Sequence, residues 1–473
     1  MRLLTPLTAA FCATAISVSA QATLPDDAMD SCGIAPATLD GWFRDGTAST
    51  GGAVIAADGF AFPPVQNTAC DFYQWGAQMF LWITSPAATA SVTFDTPEFY
   101  DVVETAGGTF EFQSNAGSKP NPMLIRTVKA QDIGGTGQAG GGDVLLSEQG
   151  SLTYYGIHTN DIYAGYLTGQ KAGAFDGLGI AGNFPITQAD VQQVEAYMKQ
   201  TYDNPQAMTM EIKTAWVDAA TVDAAQFITL DAVVPRFDRA SDTRWPLSGT
   251  ETMTLALVGV HIVAPVAGHP ELVWASFEHV SVAPALEYAY LDASGAVKLQ
   301  PFDSSGDWTF FPSDAAQPTT SPLVPAVAAM ESTTGDIVAD TGQTIAPVAV
   351  VQENPWGLSP ADPANAKANS DLVSLNASLR NILMGALGDK RGNYLQIGGI
   401  WTVTGQLPTG GGDGNIRGGN RLANATMESF HQYPDKNNNF QSENCFTCHS
   451  VSSGATDGIA LSHIFGGLAP LGN

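Results

Sequence analysis

The spacing of hydrophobic residues predicts three amphipathic helices along the chain. In each of them, large apolar side chains recur at intervals of three and four residues, which places them on one helical face. Thr187 is followed three residues later by Asp190, a capping pair that begins the second helix. We take Ser370 as the residue that begins the third helix and Gly388 as the residue that ends it. The predicted helices cover residues 71–84, 189–202 and 370–388.

Much of the remaining chain has the composition of β-strands. Runs rich in β-branched and aromatic residues are bounded by Gly, Pro, Asp or Ser, and a turn from Asp292 to Gly295 predicts a hairpin. No regular alternation of strands and helices is visible, so a nucleotide-binding layer is not supported. The predicted fold is α+β, with a β-rich body, a few packed helices and a small helical C-terminal segment. The predicted strands cover residues 208–217, 225–234, 251–263, 271–282 and 394–404.

The N-terminal residues have the pattern of an export signal. Arg2 precedes a mostly apolar run, and small residues around Ala22 offer a cleavage site, so we expect a signal peptide over residues 1–22. The apolar run is interrupted by Pro6 and several threonines, which makes it a poor membrane anchor. We therefore expect a periplasmic or secreted bacterial protein without a membrane span.

The net charge of the chain excludes some classes of binding partner. The sequence has 46 acidic and 19 basic residues among 473, which gives a formal net charge of −27. Such a surface repels nucleic acid and anionic membranes, so neither is expected as a partner. It favours a basic partner protein.

The five cysteines divide into three groups. Cys12 belongs to the predicted signal peptide, and Cys445 and Cys448 belong to a motif near the C-terminus. Cys32 and Cys70 remain, and in an oxidising compartment two such residues favour a disulfide.

Residues 445–449 read Cys-Phe-Thr-Cys-His, the attachment pattern of c-type haem. Two thiols at this spacing can reach the two vinyl groups of one porphyrin edge, and the next residue brings an imidazole to the iron. We therefore expect one covalent haem c, held by Cys445, Cys448 and His449. A redox-active dithiol lacks the βαβ setting that it would need, and a zinc site lacks a second close ligand pair.

The second iron ligand is less defined by the sequence. Only 24 residues follow His449, too few to complete a class I cytochrome c domain, so the large body must help to enclose the haem. His463 lies far enough along the chain to travel around a haem edge, and we take it as the candidate second metal ligand. Met427, His431, His261 and an open iron site remain as alternatives.

The other histidines have weaker signals. His261 lies in an apolar strand and is expected to be a core residue, although a pairing with His279 across a hairpin stays open. His158 and His269 are predicted to lie in loops and to face solvent. Residues 424–432 predict a short helix with Met427 on its apolar face.

Several stretches resemble a group of large, exported, single-haem bacterial cytochrome c proteins. They are DFYQWGAQMFLWIT from Asp71, MEIKTAW from Met210, VGVHIVAP from Val258, ELVWASFEHV from Glu271, and NATMESFHQ from Asn424 followed by CFTCH. The resemblance implies haem binding and electron transfer, and it supplies no substrate.

We therefore expect a periplasmic electron carrier with a redox partner protein. The alternatives are a haem enzyme with an open iron site, peroxidase-like or acting on a small substrate, and a ligand-binding module coupled to the haem. The expected organisation is a signal peptide over 1–22, a β-rich body over 23–409 and a haem-bearing segment over 410–473.

Overall fold

The structure is a computed structural model that describes residues 21–63, 68–105, 109–115, 121–122, 142–318, 326–359, 361–430 and 444–472. Within these ranges the fold is α+β, as predicted, and its centre is a large, mainly antiparallel sheet. The helices are α1 Pro36–Trp42, α2 Ala69–Ile83, α3 Asp161–Lys171, α4 Gln188–Met198, α5 Ala366–Arg380, α6 Cys445–Cys448 and α7 His463–Gly467.

The strands of the described residues form one large and two small sheets. They are β1 Phe99–Glu104, β2 Phe110–Ser114, β3 Asn121–Pro122, β4 Tyr154–Asn160, β5 Glu211–Asp218, β6 Thr229–Phe237, β7 Arg244–Trp245, β8 Leu247–Val266, β9 His269–His279, β10 Tyr288–Leu291, β11 Val297–Gln300, β12 Ala328–Met330, β13 Ile337–Ala339, β14 Tyr394–Thr402 and β15 Ile416–Gly418.

The ten-stranded sheet is built around β8, the longest strand. Its main order is β15-β14-β9-β8-β5-β4-β1-β2, and β6 pairs with the first half of β8. The remaining strands form the hairpin β10–β11 and the three-stranded sheet β12-β13-β7. Since β15 pairs with β14, the predicted domain boundary at residue 410 falls between two neighbouring strands of one sheet.

Side chains that alternate along the strands bury both faces of this sheet. Val260 and Ile262 of β8 belong to the largest hydrophobic cluster, which α2 and α5 cover. Val263 of β8 and Trp274 of β9 belong to a second cluster on the opposite face, together with apolar residues of α3, α4 and the C-terminal segment. Because strand residues alternate between faces, β8 and β9 contribute to both cores. We call the face that carries Val263 and Trp274 the C-terminal face.

Helix α2 lies unusually close to the sheet. A Cβ atom added at Gly76 would collide with Ala275 of β9 and Gln396 of β14, so only glycine permits this approach. Cys70 in the first turn of α2 lies at disulfide-bonding distance from Cys32, with 5.4 Å between their Cα atoms. This geometry matches the expected pairing and ties the N-terminal segment to α2.

The predicted elements are mostly confirmed, with differences at their ends. The first two helices, the hairpin and all five predicted strands are present, and Thr187 and Asp190 form the expected capping box. Ser370 does not begin the third helix, because α5 already starts at Ala366 and the Ser370 hydroxyl donates back to its carbonyl. The predicted helix at 424–432 is wrong for its described part, where residues 425–430 form turns and a bend.

Among the described residues, no helix combines the length and the apolar character needed to cross a bilayer. The predicted signal peptide lies outside the described residues except for Gln21 and Ala22.

Candidate functional site

The Cys-x-x-Cys-His motif begins on the single helical turn α6, which Asn444 caps. The Asn444 Oδ1 atom accepts a hydrogen bond of 2.9 Å from the backbone of Phe446. Its Nδ2 atom donates to the carbonyls of Gly411 at 2.9 Å and Asn420 at 3.0 Å. Side-chain caps of this kind satisfy donors that a helix end leaves unpaired. Asn444 therefore both starts the turn and fixes it against the segments on the two sides of β15.

The two thiols of the motif are half-buried and separate from each other. Between them, Phe446 is fully buried in the hydrophobic cluster of the C-terminal face, whereas Thr447 is exposed. Burial raises the pKa of both thiols, and the nearby carboxylate of Glu428 raises it further. A dithiol oxidoreductase needs the opposite shift, because its nucleophile is a thiolate.

His449 is oriented by a hydrogen bond from one ring nitrogen. Its Nδ1 atom lies 2.7 Å from the carbonyl oxygen of Leu461, so Nδ1 carries the proton. This leaves Nε2 as the nitrogen with a lone pair. Histidines that ligate metals typically donate their other N–H to a carbonyl or carboxylate in this way, which fixes the tautomer and the ring direction.

His463 lies directly against His449. The two ring centroids are 3.8 Å apart and the ring planes differ by 18°. The Nε2 atom of His463 is 3.1 Å from the carbonyl oxygen of Cys448. The expected role of His463 as second iron ligand stays a prediction, and it requires the two rings to separate.

Two of the alternative second ligands have other contacts, and the third is not described. Met427 is fully buried in a third hydrophobic cluster with Tyr155 and Val258, apart from the cluster that holds the motif. His261 lies on β8 with its Nε2 atom 3.1 Å from both carboxylate oxygens of Glu428. His431 lies outside the described residues.

The segment from Asn424 to Glu428 is anchored on the C-terminal face beside the motif. Asn424 Nδ2 donates to Ser276 Oγ at 3.0 Å, and the backbone of Ala425 donates to Glu278 at 2.6 Å. Gly259 of β8 makes room for it, since a Cβ atom there would collide with Thr426. The segment thus holds the Glu428 carboxylate in place against His261.

Glu428 supplies a buried negative charge to this region. Burial by itself raises the pKa of its carboxyl, but the charge and hydrogen bond of His261 outweigh that effect and hold the pKa at about 2. The carboxylate also accepts a hydrogen bond of 2.9 Å from the backbone of Asn424. Glu428 therefore remains ionised at neutral pH, close enough to act electrostatically on both motif thiols.

Trp274 packs against the imidazole ring of His449. Its ring centroid is 4.4 Å from that of the His449 imidazole, and it also makes an edge contact with Phe446. The Trp274 side chain is 8% exposed, and its indole N–H has no hydrogen-bond partner among the described residues. An unpartnered buried donor beside a candidate iron ligand fits a site that receives a polar group of a cofactor.

The residues therefore fit a covalently attached haem better than a zinc ion. Within the described ranges, the one group of three metal-type ligand atoms within 4.8 Å of one another is Cys32, Cys70 and Asp371, and its two sulfurs lie at disulfide distance. Cys445, Cys448, His449 and His463 do not form such a group. The motif consequently presents two thiols and one oriented imidazole rather than a preformed tetrahedral site.

The expected loop positions and solvent exposure of His158 and His269 are wrong, whereas His261 is buried on β8 as expected, without the open pairing to His279. His158 is buried and bonds Asp101 at 2.7 Å, and His269 is buried and bonds Glu271 at 2.8 Å. His261 faces Ser276 across the β8–β9 pairing, whereas His279 pairs with β14 and stacks on Phe227. Strand pairing between distant segments causes these burials, and local sequence does not show it.

Comparison with profiles of known protein families, with curated proteins and with solved structures finds no match. Sequence reasoning missed three participants of the site, namely Trp274, Glu428 and the Leu461 carbonyl. The first two lie in stretches that the sequence analysis singled out, yet nothing in their local pattern indicates a role.

Proposed function

We propose that this protein binds one haem c covalently through Cys445 and Cys448, with His449 as an iron ligand, and transfers electrons outside the cytoplasm. The haem supplies a one-electron couple when it is bound. The observation that carries the proposal is the orientation of His449, whose Nδ1 atom bonds to Leu461 and whose Nε2 atom keeps its lone pair.

The chain's own residues support this role by position. The Asn444 cap presents both thiols from one helical turn, and Trp274 packs against the proposed ligand ring. Both thiols are half-buried rather than enclosed, which favours a haem edge near the surface and short-range electron exchange with a partner. The net charge of −27 favours a basic redox partner protein.

His463 is the proposed second ligand, and a six-coordinate iron would make the protein a carrier. The contact between His463 and the Cys448 carbonyl favours a second candidate function, a haem enzyme with an open iron site. The reduced holoprotein separates the two, because carbon monoxide binds rapidly only where an iron position is free.

The test of covalent attachment is the double variant Cys445→Ala and Cys448→Ala, expressed with a haem maturation system. We expect the haem signal on a denaturing gel to disappear, while the Ser453→Ala variant at an exposed neighbouring position keeps it. A haem signal that survives in the double variant, or that is missing from the unchanged protein, contradicts the proposal.

A further inference from the structure

The indole N–H of Trp274 is a hydrogen-bond donor that the described protein leaves unused. Trp274 lies on β9, where its direct neighbours on the adjacent strands are Val263 of β8 and Ile400 of β14. Neither side chain offers an acceptor. Burying an unpaired donor costs free energy, so native proteins rarely retain one without a ligand or ordered water to receive it.

The position of this donor limits what can receive it. The Trp274 ring lies 4.4 Å from the His449 ring and contacts Phe446 of the attachment motif. A group that accepts this hydrogen bond therefore lies beside the attachment motif and the proposed iron ligand. A haem carries two carboxylates, and a carboxylate makes the strongest hydrogen bond that a neutral N–H can find.

We propose that Trp274 Nε1 donates a hydrogen bond to a haem carboxylate and so positions the haem against His449. This inference rests on the proposed function and adds to it the residue that recognises the polar edge of the cofactor. Trp274 acts as a positioning residue. Its hydrogen bond also offsets part of the carboxylate's negative charge, which affects the reduction potential of the iron.

The Trp274→Phe variant tests the proposal because it keeps an aromatic ring on β9 and removes the N–H. It is compared in two backgrounds, the holoprotein and the haem-free Cys445→Ala/Cys448→Ala protein. We expect a lower denaturant midpoint in the holoprotein alone. We also expect a lower reduction potential, because a less compensated carboxylate stabilises the ferric state.

Trp308→Phe is the matched control. Trp308 is also buried, at 3% exposure, and its indole N–H also lacks a partner, but it belongs to a separate hydrophobic cluster. Its substitution should change the stability of the two backgrounds equally and leave the reduction potential unchanged.

Three outcomes overturn the proposal. If Trp274→Phe loses the same stability with and without haem, the indole N–H bonds to protein or water and not to haem. If the variant loses no stability and keeps its reduction potential, the proposed hydrogen bond does not exist.

If Trp274→Phe does not fold, nitrogen-15 spectra of the indole groups in the unchanged protein decide. The indole resonance that ferric haem shifts most should belong to Trp274, and its N–H should be hydrogen-bonded only in the holoprotein. A free N–H in the holoprotein overturns the proposal. Failure of the proposed function is distinct, since no covalent haem would then be found in the unchanged protein.

Discussion

The imidazole rings of His449 and His463 lie face to face, with 3.8 Å between their centroids and 18° between their planes. If two nitrogens bound one metal ion from opposite sides at about 2 Å each, they would be about 4 Å apart, and the ring centroids would lie further out. The stacked arrangement is therefore too close for both rings to bind one iron from opposite sides. Ligation by both requires His463 to leave the Cys448 carbonyl.

The His463→Ala variant decides whether this movement occurs. If His463 is the second ligand, as we propose, the ferric haem should change from low-spin to high-spin and the reduced haem should gain rapid carbon monoxide binding. Absorption and electron paramagnetic resonance spectra measure the change, with Ser453→Ala as control. A variant that stays low-spin with an unchanged potential shows that another group ligates the iron.

The sequence predicted the parts of this site that depend on local spacing and missed those that depend on strand pairing. The Cys-x-x-Cys-His motif and helix α2 follow from short-range patterns. The placement of Trp274 against His449 requires β9 and the C-terminal segment to meet on one sheet face. Likewise, all residues of β4 are buried, but its sequence YYGIHTN contains a glycine and polar residues and does not have the apolar pattern of a buried strand.

The start of the third helix also could not be predicted from local sequence alone. Ser370 has the chemistry of a helix cap, but the chain enters α5 earlier through a turn at Pro363–Asn365. Inside the helix, the Ser370 hydroxyl bonds the Ala366 carbonyl and accepts from the backbone of Leu291. A contact with the distant hairpin therefore accounts for a serine that the local pattern assigned to a helix start.

Replacing Asn444 should destabilise the attachment motif. In Asn444→Ala, the turn loses its cap and two hydrogen bonds to Gly411 and Asn420, so we expect a loss of about 1–2 kcal/mol in the free energy of unfolding. Asn444→Asp is the matched comparison, because it keeps the capping acceptor and removes only the two donated bonds. Denaturant unfolding of the holoprotein measures both. Equal stability of Asn444→Ala and the unchanged protein contradicts the assigned role.

Glu428 should stabilise the protein fully above about pH 4.5 and lose that effect in acid. Its folded-state pKa of about 2 lies below the ordinary value of 4.5, so its contribution is complete above the ordinary pKa and disappears as the pH falls toward 2. The shift corresponds to up to about 3 kcal/mol. The side chain is 17% exposed, which reduces this value.

The Glu428→Gln variant tests this contribution and its effect on the haem. Its free energy of unfolding should depend less on pH between 2 and 4.5 than that of the unchanged protein. Removing a buried negative charge near the motif should also raise the reduction potential. Glu251→Gln, at an exposed position of β8, is the control. Unfolding curves with identical acid dependence contradict the assignment.

Glu278 should have the opposite effect on stability. Burial raises its pKa to about 8, although hydrogen bonds from Ala425 and Gln352 lower it, so the carboxyl is protonated in the folded protein at neutral pH. A raised folded-state pKa means that the native state binds the extra proton between pH 4.5 and 8. The contribution of Glu278 is therefore complete below the ordinary pKa and is lost as the pH rises toward 8.

Glu278→Gln mimics the neutral carboxyl, and rotation of the Gln352 amide can preserve the contact between the two side chains. We expect this variant to gain stability relative to the unchanged protein as the pH increases from 5 to 9, measured by denaturant unfolding at each pH. A stability difference that does not change over this range would show that Glu278 is ionised in the folded state.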